Sequence, residues 1–197
     1  MGDSPGFVGP TFGLQSSADM YEKLQFEAQR LRKGWGKFDA ANFIWTAWHL
    51  FNDWPKSEPT ESPSRNKRDR TSLPEEMRLV IGITNDLANG TKHFILTGKS
   101  AERCKVSEVH EELEADWYSY FFHENILAVT AHGDWYFSIR VLQNLWMAYF
   151  EWVFDDQQPI DKFPIEILDA IRYCHIPTRP ATPTPRIWLE HIEYTPE

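Results

Sequence analysis

The sequence predicts an α+β domain, predominantly helical, with a four-helix core and a small antiparallel β insertion. Apolar residues recur at three-and-four spacing in four separate segments, which is the period of a helix with one buried face. Between about residues 94 and 134 the period shifts to two, as in a strand. Aromatic side chains make up 15% of the 197 residues, with 9 Trp and 13 Phe, so the core should be wide and packed with rings. At this length one domain is expected, large enough to bury a core without disulfide or metal support.

Residues 1–16 carry Gly, Pro and Ser without a period and read as a flexible N-terminal arm preceding a single helical domain over 17–197. The first helix is expected from Asp19, with Asp19 as its cap and Glu22 reaching back, and with Tyr21, Leu24, Ala28 and Leu31 on one face. A second helix should run from about Asp39 to Asp53, its apolar surface built from Phe38, Ala41, Ile44, Trp45, Trp48 and Phe51, and Pro55 should stop it. Residues 56–72 have almost nothing to bury and read as a disordered basic loop. Pro74, Glu75 and Glu76 then open a third helix packed through Met77, Val80, Ile81, Thr84 and Leu87, ending near Gly90 or His93.

The β insertion is expected over about 94–134, in Phe94–Leu96, Trp117–Phe122 and Ile126–Thr130, with a turn at Ala131–Asp134. The fourth helix should begin at Trp135 and carry Ile139, Leu142, Trp146, Tyr149 and Val153 inward for about five turns. A short helix around Ile165–Tyr173 precedes a Pro-rich extended stretch and a terminal segment that docks through Ile187, Trp188 and Ile192.

Charge and composition narrow the function classes. The net charge of -9 opposes sequence-independent binding to a phosphate backbone, which gains its affinity from Lys and Arg. Arg65, Lys67, Arg68 and Arg70 form a basic cluster that reads as a solvated loop. The longest apolar runs fall short of the ~20 residues a membrane span needs, so no membrane association is expected. Two distant cysteines, Cys104 and Cys174, and an N-terminus without a secretory pattern point to a cytoplasmic protein.

Chemistry is sought in two polar stripes. On the second helix, Asn42, Thr46, His49 and Asp53 share one side. At the end of the third, Asp86, Asn89 and His93 do the same, with Lys92 beside them and Gly90 permitting close approach of a backbone or ligand. If the two stripes meet, His93 is the candidate general acid or base, Asp86 or Asp53 would orient its ring, and Lys92 would stabilise negative charge. A metal held by His49, Asp53, Asp86 and His93 is the other chemical option, although no cofactor is expected. The plainer alternative is structural: Asp86 and Asn89 terminate the helix, Lys92 and His93 complement its carbonyl end, and Asn42, Thr46 and His49 satisfy one another. Cys104, His110, Cys174 and His175 have no specific zinc spacing, and His123 beside Glu124 reads as a strand-end pair.

The strings DAANFIWTAWHLFNDW, from Asp39 to Trp54, and DLANGTKHF, from Asp86 to Phe94, together resemble a group of uncharacterised bacterial proteins that carry similar strings in this order. The chain also resembles HEPN-type helical domains, whose polar motif lies near a helix end, as Asn85 to His93 does here. That resemblance implies a metal-independent ribonuclease of a toxin or phage-defence system, acting on RNA or a nucleotide through His93. The class pairs an Arg and a His with four to six residues between them; Arg103 with His110 and Arg186 with His191 match, but the string from Asp86 to His93 has no Arg, so Lys92 or Arg78 would supply the positive charge. The rival expectation is a non-catalytic interaction module that holds a protein partner, or a second copy of itself, through an aromatic and acidic surface.

Overall fold

A computed structural model describes residues 12–57, 70–92, 105–110, 127–131, 135–155 and 162–174. These residues are mostly helical, with one three-stranded antiparallel sheet, in agreement with the predicted fold class. The helices are α1 (Ser17–Leu31), α2 (Lys37–Asn52), the single turn α3 (Trp54–Ser57), α4 (Glu75–Lys92), α5 (Ile139–Phe154) and α6 (Ile165–Cys174). The strands are β1 (Val106–His110), β2 (Ala128–Ala131) and β3 (Trp135–Ser138), in the spatial order β1-β2-β3. Among the described residues no helix is long and apolar enough to cross a membrane.

Helix α1 begins earlier than its expected Asp19 cap. Ser16 is the N-cap, its hydroxyl accepting from the Asp19 amide at 3.1 Å while the Asp19 carboxylate accepts from the Ser16 amide at 2.9 Å. This reciprocal box satisfies donors at both positions, which a cap at Asp19 would leave open. The Gln15 amide also donates to Asp19, and this bond first, then the Ser16 hydroxyl, holds the Asp19 carboxyl below its ordinary range.

Helix α2 is not stopped by Pro55. Asp53 is its C-cap, and Pro55 sits inside α3, near the start of a helical turn, where its missing N–H is tolerated. Lys56 and Ser57 are therefore helical, and Arg70–Ser72 form one 3-10 turn, so both ends of the expected loop are structured; its middle, 58–69, lies outside the described residues. The same holds for residues 1–11 of the N-terminal arm and for everything after Cys174.

The start of α5 corrects a second expectation. Trp135–Ser138 is strand β3, paired antiparallel with β2 through Val129↔Phe137 and Ala131↔Trp135. Ser138 ends the strand and caps α5, its hydroxyl accepting from the Val141 amide at 3.2 Å. Trp135 and Ile139 are four apart, so spacing alone joins them into one helix; the aromatic run Trp-Tyr-Phe and the Ser cap decide otherwise. Strand β1 was not anticipated, because its side chains are mostly exposed and carry no period-two signal. Of the expected strands, Phe94–Leu96 and Trp117–Phe122 lie outside the described residues, whereas Ile126–Thr130 overlaps β2.

The core gathers around α5. Trp146, Tyr149, Phe150 and Trp152 are fully buried, and Phe51 of α2 meets Trp146 and Tyr149 edge-on at 5.5 and 5.9 Å between centroids. Phe163 closes the far end against Trp152 at 5.3 Å. One polar contact fixes the rotation of α5 against α4: the Trp146 indole donates to Thr84 Oγ1 at 2.7 Å, and that hydroxyl donates to the Val80 carbonyl at 2.9 Å. Both groups are out of water; removing the Thr84 hydroxyl leaves the indole N–H unpaired, whereas removing the indole leaves the hydroxyl still donating to Val80. Thr84→Val should therefore destabilise the protein by about 1–3 kcal/mol, and adding Trp146→Phe should cost less than the sum of the single changes. Urea unfolding of the four species measures this; strict additivity would show that the bond does not couple the helices.

Helix α6 docks on α4 through Arg172, whose Nε and Nη2 lie 3.0 and 2.7 Å from Glu76 Oε1. The backbone amide of Glu76 first, and the Arg172 guanidinium next, hold the Glu76 carboxyl below its ordinary value of 4.5. A depressed carboxyl stabilises the fold above its unfolded pKa, and that stabilisation is lost as pH falls through the folded pKa. Glu76→Gln should lower stability at neutral pH by up to about 1 kcal/mol, with the difference vanishing in acid below the ordinary 4.5. Thermal melts of both proteins across that range test the sign; a gap that widens in acid would contradict it.

Candidate functional site

The polar stripe of α2 divides between two environments. Thr46 is buried against α1, where Lys23 Nζ donates to its hydroxyl at 2.5 Å and pairs with Glu27 at 3.3 Å. His49 and Asp53 are half-exposed and face each other one turn apart, His49 Nδ1 lying 2.5 Å from Asp53 Oδ2. The Asn52 side-chain amide also donates to Asp53, and Lys56 donates to Asn52 at 3.0 Å, so this is a chain of surface contacts around the end of α2.

Asp86 plays a different part. It is 8% exposed, and its Oδ2 accepts from the backbone amides of Lys105 and, at 3.2 Å, Val106. The carboxylate thereby spreads its charge over the two amides at the start of β1. One turn earlier, a Cβ on Gly82 would stand 3.1 Å from Lys105 Cγ, so the missing side chain lets the lead-in to β1 lie close to α4. The close approach expected at Gly90 occurs instead at Gly82: a Cβ on Gly90 would meet nothing within 4 Å.

Asn89 donates to Asn85 Oδ1 at 3.1 Å, Lys92 is exposed, and His93 lies outside the described residues. Of the six candidates, then, His49 and Asp53 are brought together, while Asp86 is committed to β1 and Asn89 to its own helix. Among the described residues, no three His, Cys, Asp or Glu side chains gather as a metal site would require. His110, drawn into both the zinc and the Arg–His spacings, sits in β1 with Nε2 2.8 Å from Thr130 Oγ1. Arg103, Cys104, His123, His175, Arg186 and His191 lie outside the described residues.

The concavity between α2 and α4 is apolar. A cavity of about 370 Å³ opens between the first half of α2, the last turns of α4, strands β1 and β2, and the first turns of α5. Phe38, Trp45, Leu87, Val109, Val129 and Leu142 supply much of its wall. Phe38 is 79% exposed, Trp45 37% and Val109 53%, so two rings and a branched aliphatic stand at one mouth. The sequence places Phe38 and Trp45 on the broad apolar surface of α2 and singles out nothing at Val109. The available signal was the breadth of the apolar surface on α2, wider than one core face needs.

Polar atoms at this wall are occupied. The Trp45 indole donates to the Ala88 carbonyl at 3.2 Å, which lays the ring across α4. The Thr91 hydroxyl donates to the Leu87 carbonyl of its own helix at 2.7 Å. Lys37 adds one cation. With these geometries the cavity suits shape-matched burial of apolar groups.

Comparison with protein-family models, with curated proteins and with solved structures returns no match. Both resemblances noted in the sequence therefore rest on their residue strings.

The contrast between Asp86 and His49 is measurable. Asp86→Ala should cost about 1.5–3 kcal/mol, the range for hydrogen bonds to a charged group, and should speed amide exchange at Lys105 and Val106. His49→Ala, at an exposed pair, should change stability by less than about 1 kcal/mol. Equal effects of the two substitutions on the urea midpoint would contradict this assignment of roles.

Proposed function

We propose that this chain is a non-catalytic binding module whose working surface is the apolar cavity between α2, α4 and the β1–β2 strands. One observation carries the reading: Phe38, Trp45 and Val109, all substantially exposed, converge on the mouth of a single cavity. Scattered apolar residues are ordinary on a surface, but a group that rims one concavity marks a place where another molecule is buried. Support also comes from the wall itself, which among the described residues combines many apolar side chains with one hydroxyl and one cation and brings no acid and base together.

The experiment replaces Phe38 with a photoreactive benzophenone analogue of phenylalanine and irradiates producing cells. A discrete covalent adduct, resolved by mass spectrometry, is expected at position 38. It should be absent when the same group stands at Phe26, which is exposed on α1 and does not line the cavity. No adduct at 38, or the same adduct at both positions, would refute the proposal. RNA cleavage by the purified chain that disappears in His93→Ala would favour the ribonuclease expectation over it.

A further inference from the structure

We infer that the ligand of this cavity is a compact apolar small molecule whose buried part, an aryl or alkyl group, carries no hydrogen-bonding atom. The inference rests on the binding-module reading and adds to it the class of molecule bound.

Size argues first. At about 370 Å³ the cavity falls within the range of small-molecule sites, roughly 300–1,000 Å³. A stable protein interface buries about 800 Å² on each partner, and the mouth offers two rings and a valine for that purpose. The other large apolar residues exposed in the described structure, Phe12, Phe26 and Ile165, do not line the cavity and so do not extend this patch.

Wall chemistry argues second. The Trp45 indole and the Thr91 hydroxyl are spent on backbone carbonyls of α4, so neither calls for a polar atom on the ligand. A hydroxyl or amide buried among Leu87, Val129 and Leu142 would lose its water without replacement, which selects against polar groups in the buried part. Aromatic edges at the mouth and aliphatic groups deeper in suit a two-ring aryl group or a medium-length alkyl chain.

The test is a titration of the full chain with naphthalene, an uncharged two-ring hydrocarbon with no hydrogen-bonding atom, followed through the chemical shifts of the side-chain methyl groups. One saturable site is expected, with decanol competing for it. Ala41→Phe fills the cavity from α2 and Val109→Phe from β1. Each should weaken probe binding by about tenfold or more, because the added ring takes the volume the probe needs. Melting temperatures show which variants remain folded, and either folded variant suffices. Nuclear Overhauser contacts from the probe to the Leu87 and Val129 methyls locate it in the unmodified protein independently of both. Absence of saturable binding, undiminished binding in a folded filled variant, or a bound probe without those contacts would each overturn the inference. If the probe fails while a protein adduct forms at position 38, the binding-module reading stands and the ligand class falls. If neither is seen, both fall.

Discussion

Burial of α5 among the other elements is the constraint on which the remaining structure depends. Ten of its residues are out of water, and the stripe of Arg140, Asn144, Met147, Ala148 and Glu151 reaches the surface. A helix buried over so much of its circumference must be enclosed by neighbours on every other side. It meets α4 through Trp146 and Thr84, α2 through Phe51, and the segment leading into α6 through Phe163. Against α1 it presents Gln143, fully buried, whose amide donates to the Ala28 carbonyl at 3.4 Å while its oxygen accepts from Arg32 Nε at 3.4 Å. These polar contacts each accept one rotation of α5, and the rings between them then fill the space that rotation leaves.

That arrangement also determines where the cavity lies. The large side chains of α5 stand in its second half, from Trp146 to Trp152, and there they interlock with Phe51 near the end of α2. At the other end the facing residues are Ile139 and Leu142 on α5 and Ala40, Ala41 and Ile44 on α2, all of which line the cavity. Small and aliphatic residues opposite one another leave volume that rings fill elsewhere. Strands β1 and β2 close the third side, and Asp86 with Gly82 holds the lead-in to β1 against α4. The polar cluster singled out for chemistry thus contributes to the cavity through its architecture: Asp86 positions a wall.

Local signals in the sequence were strong enough to define most of the fold. Three-and-four spacing located α1, α2, α4 and α6 to within a few residues, because each has one inward stripe and a nearby end signal. It misjudged the start of α5, where Trp135 continues the spacing across a Ser cap, and it could not see β1, whose residues Val106–His110 are mostly exposed. Strand β1 exists because tertiary partners order it, Asp86 at its start and β2 along its length. The candidate site was legible as a list of polar residues and not as an arrangement. Spacing puts His49 and Asp86 on faces of their own helices but says nothing of which neighbour each face meets; one face looks to solvent and the other to β1. The cavity left a fainter trace still, since exposed and buried aromatics on α2 share one period.

Why an apolar concavity persists beside a helix whose large rings are so fully packed is itself informative. Phe38, Trp45 and Val109 leave apolar area in water that burial would remove, at roughly 25 cal/mol per Å². The void beside them forgoes dispersion contacts that a larger residue at Ala41 would supply. Both features work against stability, and both occur at one place, whereas Trp146, Tyr149 and Phe150 show that this fold packs rings tightly where stability alone is at stake. Unfilled volume and unburied rings side by side are complementary defects, each remedied by the same event, the arrival of an apolar group. A binding site that holds its shape beforehand carries that stability deficit in the free state and recovers it on binding, and the rigid packing of α5 is what keeps the walls apart until then.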